Sequence, residues 1–252
     1  MNVKINTPEI INSILNAGPK PFNAVLALLE NQPSVSIVQI GAYIGKTRND
    51  PLVNFVRTIV HAKESSQVVL VEPIRNYFDL LCENYLGIAH VELENVAIAE
   101  SDDDREMYRL GVDPADYNYS EWLAQLSSLK EERLGYLWEN YEGRNGRHTL
   151  NHQFCLKHRV TETVKCMTLH QLLDKHQIQH LDILQIDTEG YEFEILQTLD
   201  FKKIKPRFIN YERVLLQEYE PECREMMVAA GYLLVDWGSD TLCILKGSDE
   251  NS

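Results

Sequence analysis

The stretch "LDILQIDTEGYEFEIL", residues 181–196, carries an apolar run directly into a cluster of acids. A short continuous apolar run such as residues 181–186 is typical of a strand buried on both faces of a parallel sheet. The acids that follow are Asp187, Glu189, Glu192 and Glu194. Because open α/β sheets bind ligands at the carboxyl ends of their strands, these acids mark a candidate site.

Local helix chemistry also explains part of this pattern. Asp187 or Thr188 can cap a helix that begins near Gly190. Glu189 and Glu192 then lie where the helix dipole favours negative charge. Capping does not require an apolar strand that directs the acids to the sheet edge, so we predict that they serve both purposes.

The rest of the chain alternates strands with helices. Residues 35–40 form an apolar run before a glycine turn, and a helix follows from Pro51. The segment "QVVLVEP" predicts a second buried strand, which ends at Glu72 and precedes a helix over residues 74–85. This alternation of strands and helices predicts an α/β fold with a doubly wound, mainly parallel sheet. Near the end, "YLLVDW" and "TLCILK" predict an antiparallel hairpin.

The pattern divides the chain of 252 residues into one main domain with additions. Residues 1–32 predict an N-terminal helical segment with helices near 8–16 and 21–30. Residues 33–246 form the main domain. Within it, residues 105–161 lose the aliphatic periodicity and predict a mostly helical insertion over the sheet. Residues 247–252 predict a disordered tail.

Composition excludes several classes of protein. With 24 basic and 38 acidic residues, the formal net charge of -14 repels a polyanion, which argues against a nucleic-acid partner. No apolar run approaches the roughly 20 residues that cross a bilayer, and no signal peptide is evident, so we expect a cytoplasmic protein without a membrane partner. The five cysteines include no CxxC pair, so the sequence contains neither a zinc-knuckle motif nor a redox motif of that type.

The turn "VQIGAYIGKT" has its glycines, Gly41 and Gly45, where a ligand needs a tight turn and a close backbone approach. Its GxxxG spacing differs from the GxGxxG dinucleotide fingerprint. A tight turn without a ligand explains it equally well. Glu72, at the next strand end, can accept two hydrogen bonds from ribose hydroxyls. A glutamate followed by Pro73 can also simply mark the end of a strand, without any ligand.

A family resemblance becomes specific at the opening stretch. "IDTEGYEFEIL", preceded by "CMTLHQLL" and "LDILQ", resembles the signature of the FkbM family of S-adenosylmethionine-dependent methyltransferases. The order of "VQIGAYIGKTRNDPL", "VLVEPIRNYFDLL", "ENVAIAESD", "PRFINYE" and "GYLLV" also fits. The likeness covers residues 33–246 except 105–161. It implies the Rossmann-like, seven-stranded class I methyltransferase sheet and S-adenosylmethionine as the cofactor.

The resemblance also implies roles for individual residues. Gly41, Ala42 and Gly45 would border the methionine part of the cofactor, Glu72 its ribose, and residues 95–97 its adenine. Asp187 would face the sulfonium and the acceptor. The predicted cofactor-binding residues are Gln39, Gly41, Ala42, Tyr43, Gly45, Asp50, Glu72, Pro73, Asn95, Val96, Ala97, Asp187 and Thr188. The chain departs from the family at Gln39, often an acid, and at Tyr43, often an asparagine.

Methyl transfer to a hydroxyl requires aligned reactants and a base for the acceptor proton. The candidate catalytic residues are Asp187, Glu189, His148 and His152. The strand-end acids Asp187 and Glu212 can hold a hard divalent cation, but a plain pair of acids is the commoner case, so we predict no metal.

The residues of the insertion indicate which kind of acceptor the protein binds. Residues 143–160 hold four basic side chains and three histidines without an acid, which indicates an anionic acceptor such as a phosphate-bearing sugar. A solvated loop explains the same charges. The neighbouring aromatic residues can wall an acceptor pocket or pack a lid: Tyr117, Tyr119, Trp122, Tyr136, Trp138 and Tyr141.

The sequence therefore predicts an S-adenosylmethionine-dependent methyltransferase, with O-methylation of a hydroxyl on a small molecule as the expected reaction. The acceptor would be a sugar, a secondary metabolite or a carrier-tethered intermediate. A non-catalytic cofactor-binding or assembly protein on the same scaffold is the alternative. A nicotinamide-dependent oxidoreductase is disfavoured by the missing GxGxxG. The oligomeric state stays open, with a homodimer as one option.

Overall fold

The structure, a computed structural model, describes residues 7–47, 50–111, 125–134, 141–142, 149–150 and 152–247. For 141–142, 149–150 and 152 it describes the backbone alone. No helix in these ranges is long and apolar enough to cross a membrane.

A seven-stranded sheet forms the centre of the molecule. In spatial order its strands are β12 (Tyr232–Trp237), β13 (Asp240–Leu245), β11 (Phe208–Glu212), β10 (Ile183–Ile186), β1 (Ser36–Ile40), β2 (Gln67–Val71) and β3 (Val91–Glu94). Five strands are parallel, and the terminal hairpin β12–β13 pairs antiparallel to β11. The predicted doubly wound seven-stranded sheet and its terminal hairpin are confirmed.

Hydrophobic burial on both faces explains why the apolar runs form strands. All four residues of β10 are buried, as are the last four of β1 and of β2. Alternate side chains enter two cores: Val38 packs in one with Leu184, and Ile37 packs in the other with Ile183. Period-two alternation between two apolar layers fixes the register of the sheet.

Helices cover both faces. The described helices are α1 (Pro8–Leu15), α2 (Pro21–Glu30), α3 (Leu52–Asn54), α4 (Arg75–Tyr85), α5 (His152–Lys157), α6 (Leu169–Lys175), α7 (Glu192–Gln197) and α8 (Glu220–Ala229), of which α5 belongs to the insertion. Helix α3 continues as a π-helical turn over Phe55–Ile59 and a 3₁₀ turn over Val60–Ala62. Helices α1 and α2 share one core with the sheet, through Ile14 and Phe22. The division into segments 1–32 and 33–246 stays a prediction.

The insertion differs from the mostly helical prediction in its described part. There β5 (Asp104–Leu110) pairs antiparallel with β9 (Arg159–Met167) and with β6 (Ser127–Ser128). Two further short strands, β7 (Tyr141–Glu142) and β8 (Thr149–Leu150), pair with each other. The β-branched residues of "RVTETVKCM" favour a strand. The segment "HVELENVAIA" forms two separate strands, because β3 belongs to the main sheet whereas β4 (Ala97–Ile98) pairs with β9.

The connections reverse direction between β1 and β10. From β1 the chain proceeds outward through β2 to β3, whereas β10 and β11 lie on the other side of β1. Such a switch point opens a crevice at the carboxyl ends of the strands. Gly41 and Asp187, the residues that follow β1 and β10, lie at this point. A Cβ atom on Gly41 would lie 1.8 Å from the carbonyl oxygen of Asp187.

This contact predicts a large loss of stability for Gly41→Ala. Gly41 has φ +84°, and its missing Cβ lets the two strand ends meet. We expect the free energy of unfolding to fall by about 2 to 4 kcal/mol in urea titrations, because strain and a backbone clash combine. Gly18→Ala is the matched control: φ is also +84°, but nothing lies within 4 Å of the added Cβ. Equal losses in the two variants would contradict the proposed contact.

Candidate active site

The glycine turn after β1 is fastened to the end of β2. The N–H groups of Gly41 and Ala42 donate to the carbonyl of Val71 at 3.0 and 2.9 Å. Tyr43 has φ +49°, a left-handed conformation that is uncommon for a bulky residue. Its N–H group donates to Glu72 Oε2 at 3.0 Å. The turn therefore holds the carboxylate of Glu72 in place.

Glu72 is a buried acid at the crevice. Its side chain is 4% exposed, and Oε1 accepts from the Ile74 N–H at 2.8 Å. Burial raises its pKa to about 7, against the opposing effect of these backbone hydrogen bonds. Each carboxylate oxygen can accept more than one hydrogen bond, so both can still receive a donor from a ligand.

The hydrogen bonds of the acidic loop after β10 differ from those that the capping interpretation predicts. Helix α7 begins only at Glu192, and neither Asp187 nor Thr188 caps it with a side-chain hydrogen bond. Instead, the fully buried Glu192 carboxylate accepts from the N–H groups of Thr188 and Gly190, at 2.8 and 3.0 Å, and from the Thr188 hydroxyl at 3.0 Å. The capping prediction is wrong because the acid that organises the loop lies inside the helix.

Glu189 and Gly190 complete this loop in left-handed conformations, with φ values of +54° and +100°. Gly190 contacts Arg133 of the insertion, since a Cβ on Gly190 would lie 2.9 Å from Arg133 Cγ. Lys130 forms an ion pair with Glu194. The insertion therefore packs directly on the loop that presents Asp187.

A narrow pocket of about 60 Å³ lies on one side of this crevice. Glu72, Asp187 and Glu189 contribute its acids, and Val96, Met107 and Tyr191 contribute apolar surface. The remaining lining residues are Ile40, Gly41, Tyr43, Pro73, Ala97, Ile98, Gln125, Ser127, Leu129 and Thr188. Apolar side chains beside the buried carboxylate of Glu72 suit a heterocyclic base joined to a ribose.

A second cavity, of about 450 Å³, lies on the other side of Asp187. Its acids are Asp50, Asp187, Glu189, Glu212 and Asp240. The other lining residues are Gln39, Gly41, Ala42, Tyr43, Thr47, Pro51, Gln125, Leu126, Gln185, Leu215, Trp237, Gly238 and Ser239. Asp187 and Glu189 line both spaces and therefore lie at their junction.

Burial, and after it mutual proximity, raises the pKa of these acids. The Asp187 carboxylate is open to the cleft, yet its removal from bulk water raises its pKa to about 7, and the charges of Glu192, Asp240 and Asp50 add to the rise. Burial and the neighbouring carboxylates raise the pKa of Glu189 and of Glu212 well above the usual range. The carboxylates of Asp187, Glu189 and Glu212 each place an oxygen within 4.8 Å of the others.

The cluster contains one more acid than the pair considered as metal ligands from the sequence, because Glu189 joins Asp187 and Glu212. Three oxygens at this spacing suit a hard cation. The same spacing also suits an organic cation, so the geometry alone does not select a metal.

Three predicted cofactor residues have other surroundings. Gly45 lies against α4, where a Cβ would be 2.4 Å from the Tyr85 ring, so its glycine serves packing. Asp50 accepts from Gln39 Nε2 at 2.7 Å and from the Leu52 N–H at 2.8 Å, and it lines the larger cavity. Asn95 lines neither space. Its amide donates to the carbonyls of Glu72 and Pro73, both at 2.9 Å, and so fixes that turn.

The other predicted cofactor residues reach the crevice. Gln39 and Ala42 line the larger cavity, and Pro73, Val96, Ala97 and Thr188 line the narrow pocket. His148 and the side chain of His152 lie outside the described residues, as do five of the named aromatic residues and the side chain of Tyr141. Those two histidines therefore stay predictions as bases.

Sequence reasoning missed several lining residues. Tyr191 lines the narrow pocket, and its hydroxyl donates to Glu100 and accepts from Arg105, both at 2.7 Å. Trp237 and Asp240, on the terminal hairpin, line the larger cavity. The hairpin was recognised, but its register, which places Asp240 opposite Glu212, depends on long-range pairing.

Fold and site together define a class I methyltransferase: a seven-stranded sheet with a terminal antiparallel hairpin, and an acid-lined crevice at its switch point. A family model, the methyltransferase FkbM domain, matches residues 39–234. The chain belongs to the FkbM methyltransferase domain family, and S-adenosylmethionine is its cofactor. The resemblance seen in the sequence is confirmed.

Comparison with solved structures found distant likenesses. An O-methyltransferase from Bacillus cereus in complex with SAH is 11% identical, with a TM-score of 0.46 over 97% of this chain and 94% of that chain. Precorrin-6y C5,15-methyltransferase from Geobacter metallireducens GS-15 is 10% identical, with a TM-score of 0.42 over 98% and 94%. A fibrillarin pre-rRNA processing protein from Methanococcus jannaschii is 11% identical, with a TM-score of 0.39 over 88% and 74%. No curated protein sequence matches significantly. The assignment rests on the family match.

The crowded acids predict that Glu212→Gln stabilises the protein at high pH. A raised pKa means that the folded state disfavours ionised Glu212. This cost is absent below the pKa of the unfolded chain and grows as the pH rises above it. We expect the variant to gain about 1 to 3 kcal/mol in urea unfolding at pH 8, and less at pH 5.

Glu225→Gln, an exposed substitution on α8, is the control for this prediction and should change stability little. A loss of stability in Glu212→Gln at pH 8 would show that Glu212 forms a favourable interaction as an anion.

Proposed function

We propose that this methyltransferase transfers a methyl group to a hydroxyl of a small molecule, with Asp187 as the general base. The observation that carries the proposal is the position of Asp187 at the junction of the two spaces, with a pKa of about 7. A base with a pKa near the working pH combines availability with proton affinity, which is the optimum for general base catalysis.

The side chains that line the narrow pocket match the chemical groups of the adenosyl part of the cofactor. Glu72 would accept hydrogen bonds from the ribose hydroxyls, because its carboxylate lines the pocket and is held by two backbone N–H groups. Val96, Ala97 and Met107 would pack against the adenine ring. The volume of about 60 Å³ is small for such a ligand, so the proposal requires the pocket to widen on binding, and Gln125, Ser127 and Leu129 form the part of its wall that the insertion contributes.

When bound, S-adenosylmethionine supplies a methyl group on a positively charged sulfur. The protein has two tasks in this reaction, alignment and proton removal. Asp187 and Glu189 line both spaces, so an acceptor in the larger cavity lies beside them. The Asp187 carboxylate then takes the hydroxyl proton as the oxygen attacks.

The larger cavity, with a size typical of small-molecule sites, is proposed for the acceptor. The anionic acceptor expected from residues 143–160 is not part of this proposal. Within that segment, Arg159 pairs with Glu131, and neither Lys157 nor Arg159 lines the larger cavity. A cavity with five carboxylates repels an anion.

Glu72→Gln should weaken the binding of S-adenosylhomocysteine by about 1 to 3 kcal/mol in calorimetric titrations at pH 8, the usual range for a charge-assisted hydrogen bond. Ribose hydroxyls favour the ionised carboxylate. The affinity of the unmodified protein should therefore fall as the pH drops through about 7, the pKa of Glu72.

The variant should lose the part of this pH dependence that belongs to Glu72, and Glu225→Gln should keep all of it. Unchanged affinity in Glu72→Gln would remove the ribose assignment.

Asp187→Asn should lower kcat by about 100-fold or more, because the amide cannot accept the acceptor proton. The assay measures the gain of one methyl group by mass spectrometry on a panel of hydroxylated small molecules. In the unmodified protein, kcat should rise with pH through about 7, as Asp187 ionises. Retention of kcat in Asp187→Asn would exclude this residue as the base.

A further inference from the structure

Among the described residues that line the larger cavity, every ionisable acid or base is an acid. Five of its lining residues are acids, and within the described part of the chain none is a lysine, arginine or histidine. Charged walls of one sign in a recessed site attract ligands of the opposite sign.

Two of the five acids already have donors. Asp50 accepts from Gln39 and from the Leu52 N–H, at 2.7 and 2.8 Å. Asp240 accepts from Asn210 Nδ2 at 2.8 Å and from the Ser239 hydroxyl at 2.9 Å. Donors within the protein already satisfy these two carboxylates, so neither requires a ligand.

The other three acids have no such partners. The carboxylates of Asp187, Glu189 and Glu212 accept no hydrogen bond from any residue in the described ranges, and each has an oxygen within 4.8 Å of the others. Three like charges at this spacing repel one another unless a proton or a cation lies among them.

Glu212 adds an observation that is independent of the charge count. Its Oε2 atom is fully buried and has no hydrogen-bond partner among the described residues. Buried oxygens without a donor are rare in folded proteins and indicate a missing water, ion or ligand. Because Glu212 lines the cavity, a donor brought by a ligand can reach this carboxylate.

We infer that the methyl acceptor carries an ammonium group, which Glu189 and Glu212 bind while a neighbouring hydroxyl of the same molecule lies at Asp187. The inference rests on the proposed function and adds the substrate class: an amino sugar or another amino alcohol. Trp237, which also lines the cavity, offers an aromatic wall that suits a cation.

This arrangement determines which atom is methylated. An ammonium held by two carboxylates keeps its proton and has no free electron pair, so it is not the nucleophile. The hydroxyl oxygen gains the methyl group, its proton passes to the Asp187 carboxylate, and the electron pair of the broken carbon–sulfur bond returns to sulfur. Charge balances, because the positive charge of the sulfonium disappears and the carboxylate is neutralised.

An inorganic divalent cation is the competing occupant. The three clustered oxygens suit one, but a single ion occupies little of a cavity of about 450 Å³. Asp50 and Asp240 extend the negative surface beyond the cluster, which favours a cation attached to a larger polar molecule.

The test compares three sugars of matched shape and different charge: glucosamine, glucose and glucuronate. Each is titrated into the protein loaded with S-adenosylhomocysteine, at constant ionic strength with EDTA, and binding is followed by saturation-transfer NMR. We expect glucosamine to bind about tenfold more tightly than glucose, with glucuronate weakest. In Glu212→Gln the preference for glucosamine should shrink several-fold, whereas Glu225→Gln should retain it.

Binding of S-adenosylhomocysteine in the same samples separates the two proposals. If S-adenosylhomocysteine binds but glucosamine shows no advantage over glucose at millimolar concentration, the ammonium inference is overturned and the proposed function stands. A preference for glucosamine that needs Mg²⁺, or that survives Glu212→Gln, also overturns the inference. Failure of S-adenosylhomocysteine to bind counts against the proposed function itself.

Discussion

The site depends on the close approach of two strand ends at the switch point of the sheet. Gly41, after β1, lies so close to the backbone of Asp187, after β10, that no side chain fits between them. The contact brings together the turn that holds Glu72 and the loop that presents Asp187. The two spaces of the crevice share their lining at this point, so the geometry of both follows from one backbone contact.

Around this contact the protein collects negative charge at a cost in stability. Glu72, Asp187, Glu189 and Glu212 all have a raised pKa because burial or crowding disfavours their ionised forms. Strain and unfavourable charge persist where the surrounding structure holds them in place, and they concentrate at functional sites. Here strands β1 and β10, buried except for the first residue of β1, provide that rigid support. A proton, a cation or a hydrogen-bond donor placed among these carboxylates would relieve the unfavourable charge.

The sequence predicted the parts of this structure that depend on local patterns. Continuous apolar runs gave β1, β2 and β10, and the hairpin followed from its turn residues. Glu192 shows the limit, because an acid four residues from Thr188 can serve a cap, a dipole or a buried loop, and only packing selects the buried loop. Gly45 shows the same limit: a glycine needed for contact with Tyr85 looks the same in the sequence as one needed for a ligand. The roles of Trp237 and Asp240 depend on strand register far along the chain.

A crystal structure of the complex with S-adenosylhomocysteine tests the central claim most directly. The account predicts the adenine in the narrow pocket between Val96 and Met107, the ribose hydroxyls on Glu72, and the sulfur directed toward Asp187 and the acidic cavity. A ribose away from Glu72, or an adenosyl group in the acidic cavity, would contradict the assignment of the two spaces.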